Sequence, residues 1–292
     1  MIRLLKILLA AAAAGLAVPA GALPTVVYSS DFEGVSPDTS AWSILSSNGV
    51  YSDFPLRGSD LPIETIPAGG NAFLGQFGGD DAVTLALSGL AAAPAIRVEF
   101  DVYFIRSWDG NRTEQVGGYL NNDILREPDP NVPVGPDYFG LKVNGNLLFE
   151  HTFSLGDASD VAQWQTFCPG GGSLTCIPGS GGSEWRTLGY TIPTFISGVA
   201  GEIPADMVVH FSALLGHTAD LTLAFYSRGL QLRPPAYDPI HGSHQGQGNL
   251  LLDESWGLDN IAVTAVPEPQ TYVLLAIGLG ILAMASRRRR AR

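Results

Sequence analysis

Charge is scarce in this chain of 292 residues: Asp, Glu, Lys and Arg together make up 15%, against the ~25% usual for globular proteins. A highly charged disordered chain and a long charged coiled coil are thereby excluded. Basic residues are the scarcer kind, 16 against 28 acidic ones, for a formal net charge of −12. A nucleic-acid partner is excluded as well, because phosphate contacts need clustered Lys and Arg. Cysteine occurs only twice. Between residues 23 and 266 no apolar helical stripe persists beyond about two turns, and 195–207 is the one weak helix candidate. The Gly-x-Ser-x-Gly elbow, the His-Glu-x-x-His helix and a phosphate-cradling glycine loop are all absent. The sequence therefore predicts a protein without enzymatic activity.

Turn formers are plentiful instead, with 35 glycines and 20 prolines. Between them lie short apolar, β-branched or aromatic runs: Thr25–Tyr28, Ala72–Phe77, Ala82–Leu87, Ile96–Ile105, Tyr138–Val143, Leu147–His151, Arg186–Thr191, Val208–Leu214, Asp220–Tyr226 and Gly257–Thr264. Val98 to Phe104 alternates apolar and polar residues, the mark of a strand with one buried face. Asn144-Gly145 between two such runs is a strong hairpin signal. The expectation is one all-β domain over 23–266, a jelly-roll or concanavalin-like β-sandwich. Trp42 and Trp256 read as its core. The stretches 107–137, 157–185 and 229–254 read as long loops, where binding usually sits on a sandwich.

The two ends read as addresses. Residues 1–22 have the parts of a secretory signal peptide: Arg3 and Lys6, an apolar stretch from Leu8 to Val18, and Ala20-Gly21-Ala22 as a small-x-small cleavage site. That stretch is shorter than the ~20 residues of a membrane span, which favours cleavage over an uncleaved anchor. Residues 267–292 begin with Pro267-Glu268-Pro269. An apolar run from Tyr272 to Ala285 follows, then Arg287, Arg288, Arg289 and Arg290. The run is short for a transmembrane helix, and the arginines would hold its end in the cytoplasm.

This three-part tail resembles the PEP-CTERM sorting signal of Gram-negative bacteria. The resemblance implies an inner-membrane-anchored precursor, processing near Pro267-Glu268-Pro269 by an exosortase-type membrane peptidase, and delivery to the cell surface or extracellular matrix. Proteins with such tails typically belong to bacteria that make exopolysaccharide and biofilm matrix. Setting aside Arg3, Lys6 and the five C-terminal arginines leaves nine basic residues against 28 acidic ones, a body charge near −19. Such a surface repels anionic polymers and attracts divalent cations. Cys168 and Cys176 enclose seven turn-rich residues, and export to an oxidising compartment predicts a local disulfide between them.

The body is similar to the jelly-roll domains of such surface proteins, related in style to carbohydrate-binding modules. The matching pieces are Asp31–Gly34, Phe100–Phe104 with Ser107–Gly110, Gly135–Phe139 with Val143–Gly145, and Asp253–Ile261. The resemblance implies a structural calcium near the first and last strands, where Asp31, Glu33, Asp259 and Asn260 could supply oxygen ligands. The same residues would also serve as strand-end turn formers and solvated carboxylates. A second candidate joins Trp108-Asp109-Gly110-Asn111 to Asp137. For a polysaccharide partner, Trp108, Trp164, Trp185 and Tyr237 are the candidate stacking rings, with Asp109 among the polar groups; each would also serve as loop packing. Paired carboxylates on a Glu-x-Asp-x-x-Glu strand, as in glucanases on lectin-like folds, are absent: Glu99 and Asp101 alternate without a third partner at that spacing. An exported matrix protein is thus the first expectation, and a scaffold or adhesin domain without a glycan ligand, or a divergent glycoside hydrolase, the alternatives.

Overall fold

Period-two patterning becomes two packed antiparallel sheets. The computed structural model describes residues 23–34, 37–45, 61–79, 81–90, 93–112, 135–156, 158–170, 174–196, 199–216, 218–230 and 254–267. Fourteen strands run through them: β1 (Thr25–Ser30), β2 (Trp42–Leu45), β3 (Ile63–Thr65), β4 (Ala72–Phe77), β5 (Ala82–Leu87), β6 (Ala95–Arg106), β7 (Tyr138–Val143), β8 (Asn146–Thr152), β9 (Glu184–Trp185), β10 (Thr191–Ile196), β11 (Val199–Pro204), β12 (Asp206–Gly216), β13 (Leu221–Arg228) and β14 (Glu254–Val266). The larger sheet has the order β3-β4-β14-β6-β12-β9, with β1 also pairing β14; the smaller is β2-β5-β13-β7-β8, and β10-β11 form a separate hairpin. The fold is an all-β sandwich. Among the described residues no helix is long and apolar enough to cross a membrane. The segments read as signal helix and tail helix lie outside them.

The alternation read from Val98 to Phe104 is physical. Val98, Phe100, Val102 and Phe104 are buried between the sheets, while Arg97 and Glu99 face outward. The Asn144-Gly145 turn joins β7 to β8, both residues at positive φ (48° and 79°), as a tight hairpin of matching twist requires. β14 is central to the larger sheet. It pairs β6 on one side along its length; on the other it pairs β4 with Trp256–Leu258 and β1 with Ile261–Ala265. Its side chains Trp256, Leu258, Ile261 and Val263 all lie in the main core.

That core is aromatic. Phe104 stacks on Phe153 at 4.2 Å between centroids, and Trp256 packs against Phe77 at 4.7 Å and Phe139 at 5.1 Å. A buried indole N–H needs an acceptor. Trp42 Nε1 donates to the Tyr28 hydroxyl (2.6 Å), Trp256 Nε1 to Ser227 Oγ (2.8 Å) and Trp108 Nε1 to the Ser255 carbonyl (2.8 Å).

Two sequence expectations differ from the fold. The described residues of 195–207 form no helix; apart from Ala205 they lie in β10, β11 and the start of β12. The Arg186–Thr191 run is largely a strap, not a strand. Its backbone is captured by one carboxylate: buried Asp206 accepts from the Thr187 (2.7 Å), Leu188 (3.0 Å) and Tyr190 (3.1 Å) N–H groups. The strap lays Leu188 and Tyr190 over Phe73, Tyr103, Ile105 and Val208, a second small core on the outer face of the larger sheet.

Candidate functional site

The sorting end is joined directly to the fold. β14 ends at Val266, and Pro267 follows. Thr25 lies opposite Ala265, so the residue two places after Leu23 sits beside the residue two places before Pro267. Both ends of the body therefore emerge together at one end of the larger sheet. Glu268, Pro269 and Arg287 to Arg290 lie outside the described residues.

A second feature sits at the opposite end of β14. Asp109, Asp137 and Glu254 bring carboxylate oxygens within 4.8 Å of one another. Asp137 and Glu254 are buried and Asp109 is half-buried. Three elements supply them. Asp109 follows β6 in a turn whose Trp108 is pinned to β14 through the Ser255 carbonyl. Asp137 immediately precedes β7; it accepts from the Asp109 N–H, and its own N–H donates to the Gly110 carbonyl at 3.0 Å. Glu254 opens β14 opposite Arg106, so the register carries it to where β6 gives way to the turn. Gly110 is at φ +68° and lies so close to the Gln163 and Trp164 carbonyls that a Cβ would meet them at 2.5 and 2.8 Å. The turn thus tolerates no ordinary side chain there. Carboxylates gathered this closely repel one another, a cost that protons, basic side chains or a bound cation relieve. All-oxygen donors of this kind suit a hard divalent cation such as Ca²⁺.

The other carboxylate set is differently arranged. β1 and β14 are neighbours, as expected, but the three carboxylates accept from separate donors and the Asn260 amide is itself a donor. Asp31 Oδ1 accepts from the Glu33 N–H (3.1 Å), and Glu33 Oε1 accepts from the Ala72 N–H (2.8 Å). Asp259 accepts from the Tyr103 hydroxyl (2.7 Å) and the Asn260 N–H (2.7 Å). The Asn260 side-chain amide donates to Asp101 Oδ2 at 2.8 Å, while His210 Nδ1 lies 2.8 Å from Asp101 Oδ1. Among the described residues the only trio of acidic, His or Cys ligands so gathered is Asp109, Asp137 and Glu254.

Asp259 has a titration consequence. Burial pushes its carboxyl up to about 6, against the Tyr103 hydroxyl and Asn260 N–H that favour the charged form, with Asp101 and Glu33 adding repulsion. A folded-state value raised above the unfolded one means the folded chain holds this proton more tightly. Its stabilising contribution is present below pH ~4 and is lost as pH rises to about 6. We expect the Asp259 carboxyl carbon to titrate in NMR with a midpoint near 6; a midpoint at the ordinary aspartate value would contradict the burial argument.

The aromatic candidates fare unequally. Trp108 is fully enclosed, with Phe104 edge-on at 4.8 Å, and presents no open ring face. Trp164 is half-buried, its Nε1 3.3 Å from the Ala158 carbonyl. Trp185 is half-buried on β9, one face close against Gly179, with the Arg186 guanidinium 5.2 Å from its ring centre. Tyr237 lies outside the described residues. Cys168 and Cys176 form the expected disulfide, with Cα atoms 5.6 Å apart, beside a bridge between Gln165 and Cys176.

Sequence reasoning had Asp109 with Asp137 but missed Glu254. The signal was present in Asp253-Glu254-Ser255-Trp256 at the head of the last strand. Only the β6–β14 register reveals that it meets the turn after β6.

Comparison with known proteins places one segment firmly. Residues 265–290 match the PEP-CTERM protein-sorting motif. The protein is thus an exported, exosortase-sorted precursor that passes through the membrane stage to the cell surface. No match is found among curated proteins. Two solved structures are similar. The K2 cleaved adhesin domain of Lys-gingipain is 11% identical with a TM-score of 0.32, over 81% of this chain and 96% of that one. The K3 cleaved adhesin domain of Lys-gingipain from Porphyromonas gingivalis w83 is 10% identical with a TM-score of 0.31, over 82% and 98%. At such scores neither likeness carries weight for function.

Proposed function

We propose that this is a non-enzymatic surface or matrix protein whose sandwich is braced by a structural calcium ion and binds extracellular polysaccharide. The observation that carries the reading is the sorting motif set directly after the last strand, so that the whole sandwich is what is delivered outside. The calcium part is supported by Asp109, Asp137 and Glu254, which would hold the ion. It would compensate their charge and fasten the turn after β6 and the residues before β7 to the head of β14. The polysaccharide part is supported by the partly open rings of Trp164 and Trp185.

Calcium at about 100 times its Kd is expected to add about 2.7 kcal/mol, roughly 5–10 °C in Tm for a domain of this size. Asp137→Asn should abolish that shift while leaving a folded protein. Absence of any calcium-dependent shift in the wild type would remove the brace. Retention of the folded, calcium-loaded body on a panel of bacterial and plant polysaccharides tests the ligand, and Trp185→Ala should weaken it. The enclosure of Trp108 and the covered face of Trp185 favour a second reading, a scaffold or adhesin without a glycan ligand. Lack of retention on every polymer would select it.

A further inference from the structure

Directly opposed residues in an antiparallel sheet share a face. Val26 lies opposite Thr264, Thr264 opposite Arg97, and Arg97 opposite Leu214. These four make one row across β1, β14, β6 and β12 on the outer face of the larger sheet, two residues back from the end of β14. Val26 and Leu214 are large apolar side chains 59% and 65% exposed, and Leu23, just before β1, is 81% exposed. Arg97 is exposed at the centre of the row. Arg112 and Arg228 are ion-paired to Asp160 and Glu150. Arg106 bonds Gln76, and Lys142 and Arg186 lie over the rings of Tyr226 and Trp185. Arg97 has no ion pair or hydrogen bond with any described residue. The strap that covers this face elsewhere, over Tyr103 and Ile105, does not extend to the row. On the same face, two residues along β6, stands Glu99, which accepts from Ser212 of β12.

The chain itself says what lies opposite this row. Tyr272, where the apolar run begins, is six residue steps beyond Val266. Fully extended they reach about 20 Å, of which the headgroup layer takes roughly 5–8 Å. While the tail is in the membrane, this end of the sheet is held within a few ångströms to about 15 Å of the headgroups. Cleavage after Ala22 adds the new α-ammonium of Leu23 at the same end. We propose that Val26, Arg97 and Leu214, with Leu23, form a docking face for the lipid headgroup surface, used while the precursor is anchored by its tail. Arg97 meets lipid phosphate and the apolar side chains enter the interface. The face turns an otherwise acidic body toward an anionic surface that would repel it, and presents the strand ahead of Pro267 in a fixed orientation. The proposal rests on the sorting reading, since without the tail nothing holds this face near lipid.

The test uses the full chain, tail included, in vesicles of phosphatidylethanolamine and phosphatidylglycerol. Because both native cysteines are in a disulfide, Leu214→Cys carries a single fluorophore, and Leu147→Cys, on the smaller sheet and 59% exposed, serves as the control. Flotation with the vesicles reports tail anchoring on its own. The expected result is that a water-soluble quencher reaches the label at 214 several-fold less well than at 147, while a headgroup-attached quencher favours 214. Arg97→Gln should cost about fivefold of that protection, the effect of one basic residue near an anionic surface. Chain that floats with equal aqueous quenching at both positions overturns the docking face and leaves the sorting reading intact. Chain that does not float overturns both.

Discussion

Ending the chain at Asp253, and so removing β14, is expected to abolish the folded sandwich. β14 is the central strand of the larger sheet and supplies Trp256, Leu258, Ile261 and Val263 to the core, all essentially inaccessible. Each fully buried side chain of this kind contributes roughly 1.5–3 kcal/mol, so four of them rival the ~5–15 kcal/mol of an entire domain. Removal would also strand β1 and β4 without their only partner along that edge, leaving backbone groups of β6 unpaired. Near-UV circular dichroism and thermal unfolding of residues 23–253 against 23–267 would show it: a cooperative transition for the longer chain and none for the shorter. A milder variant, Trp256→Ala, should keep the transition but lose about 3–5 kcal/mol. A shorter chain that unfolds cooperatively near the temperature of the longer one would mean that β14 is peripheral.

This has a consequence for export. The last strand to be made is the one on which the larger sheet is assembled, and Pro267 follows it at once. A cut upstream of Val266 would remove paired residues, for Ala265 faces Thr25 and Val266 faces Ala95. Processing at Pro267-Glu268-Pro269 leaves the sandwich whole.

Much of this architecture is legible in the sequence because its causes are local. Val98 to Phe104 alternates because one face of β6 meets the core, and Asn144-Gly145 sits where two positive φ angles are needed. Trp42 and Trp256 are buried as read. The misreadings have non-local causes. Leu188 and Tyr190 look like strand residues and are buried like them, but their N–H groups go to the Asp206 carboxylate, eighteen and sixteen residues away, not to a strand ladder. The stretch 195–207 reads as weakly helical, yet its described residues pair as the β10–β11 hairpin and lead into β12. Short β2 and β3 had too few residues to show a period. The carboxylates follow the same rule. Asp31 and Glu33 read as lying beside the first strand, but nothing in their spacing tells that each finds a backbone N–H. Glu254 joins Asp109 and Asp137 through strand register alone.

Replacing Pro267, Glu268 and Pro269 together by alanine should leave the sandwich folded and its destination changed. Only Pro267 borders the described fold, and no core residue is touched. The apolar run and its arginines would still enter the membrane. What is lost is the element the exosortase-type peptidase acts on, so the precursor should accumulate uncut. The effect is expected to be nearly complete, in contrast to the graded losses of the core and calcium variants. The direct measurement is a pulse-chase in the producing bacterium, following size and cell fraction of the wild-type and triple-alanine chains. The account predicts a wild-type precursor that shortens by its tail and leaves the inner-membrane fraction, and a variant that stays full-length there. A variant shortened and released at the wild-type rate would contradict it.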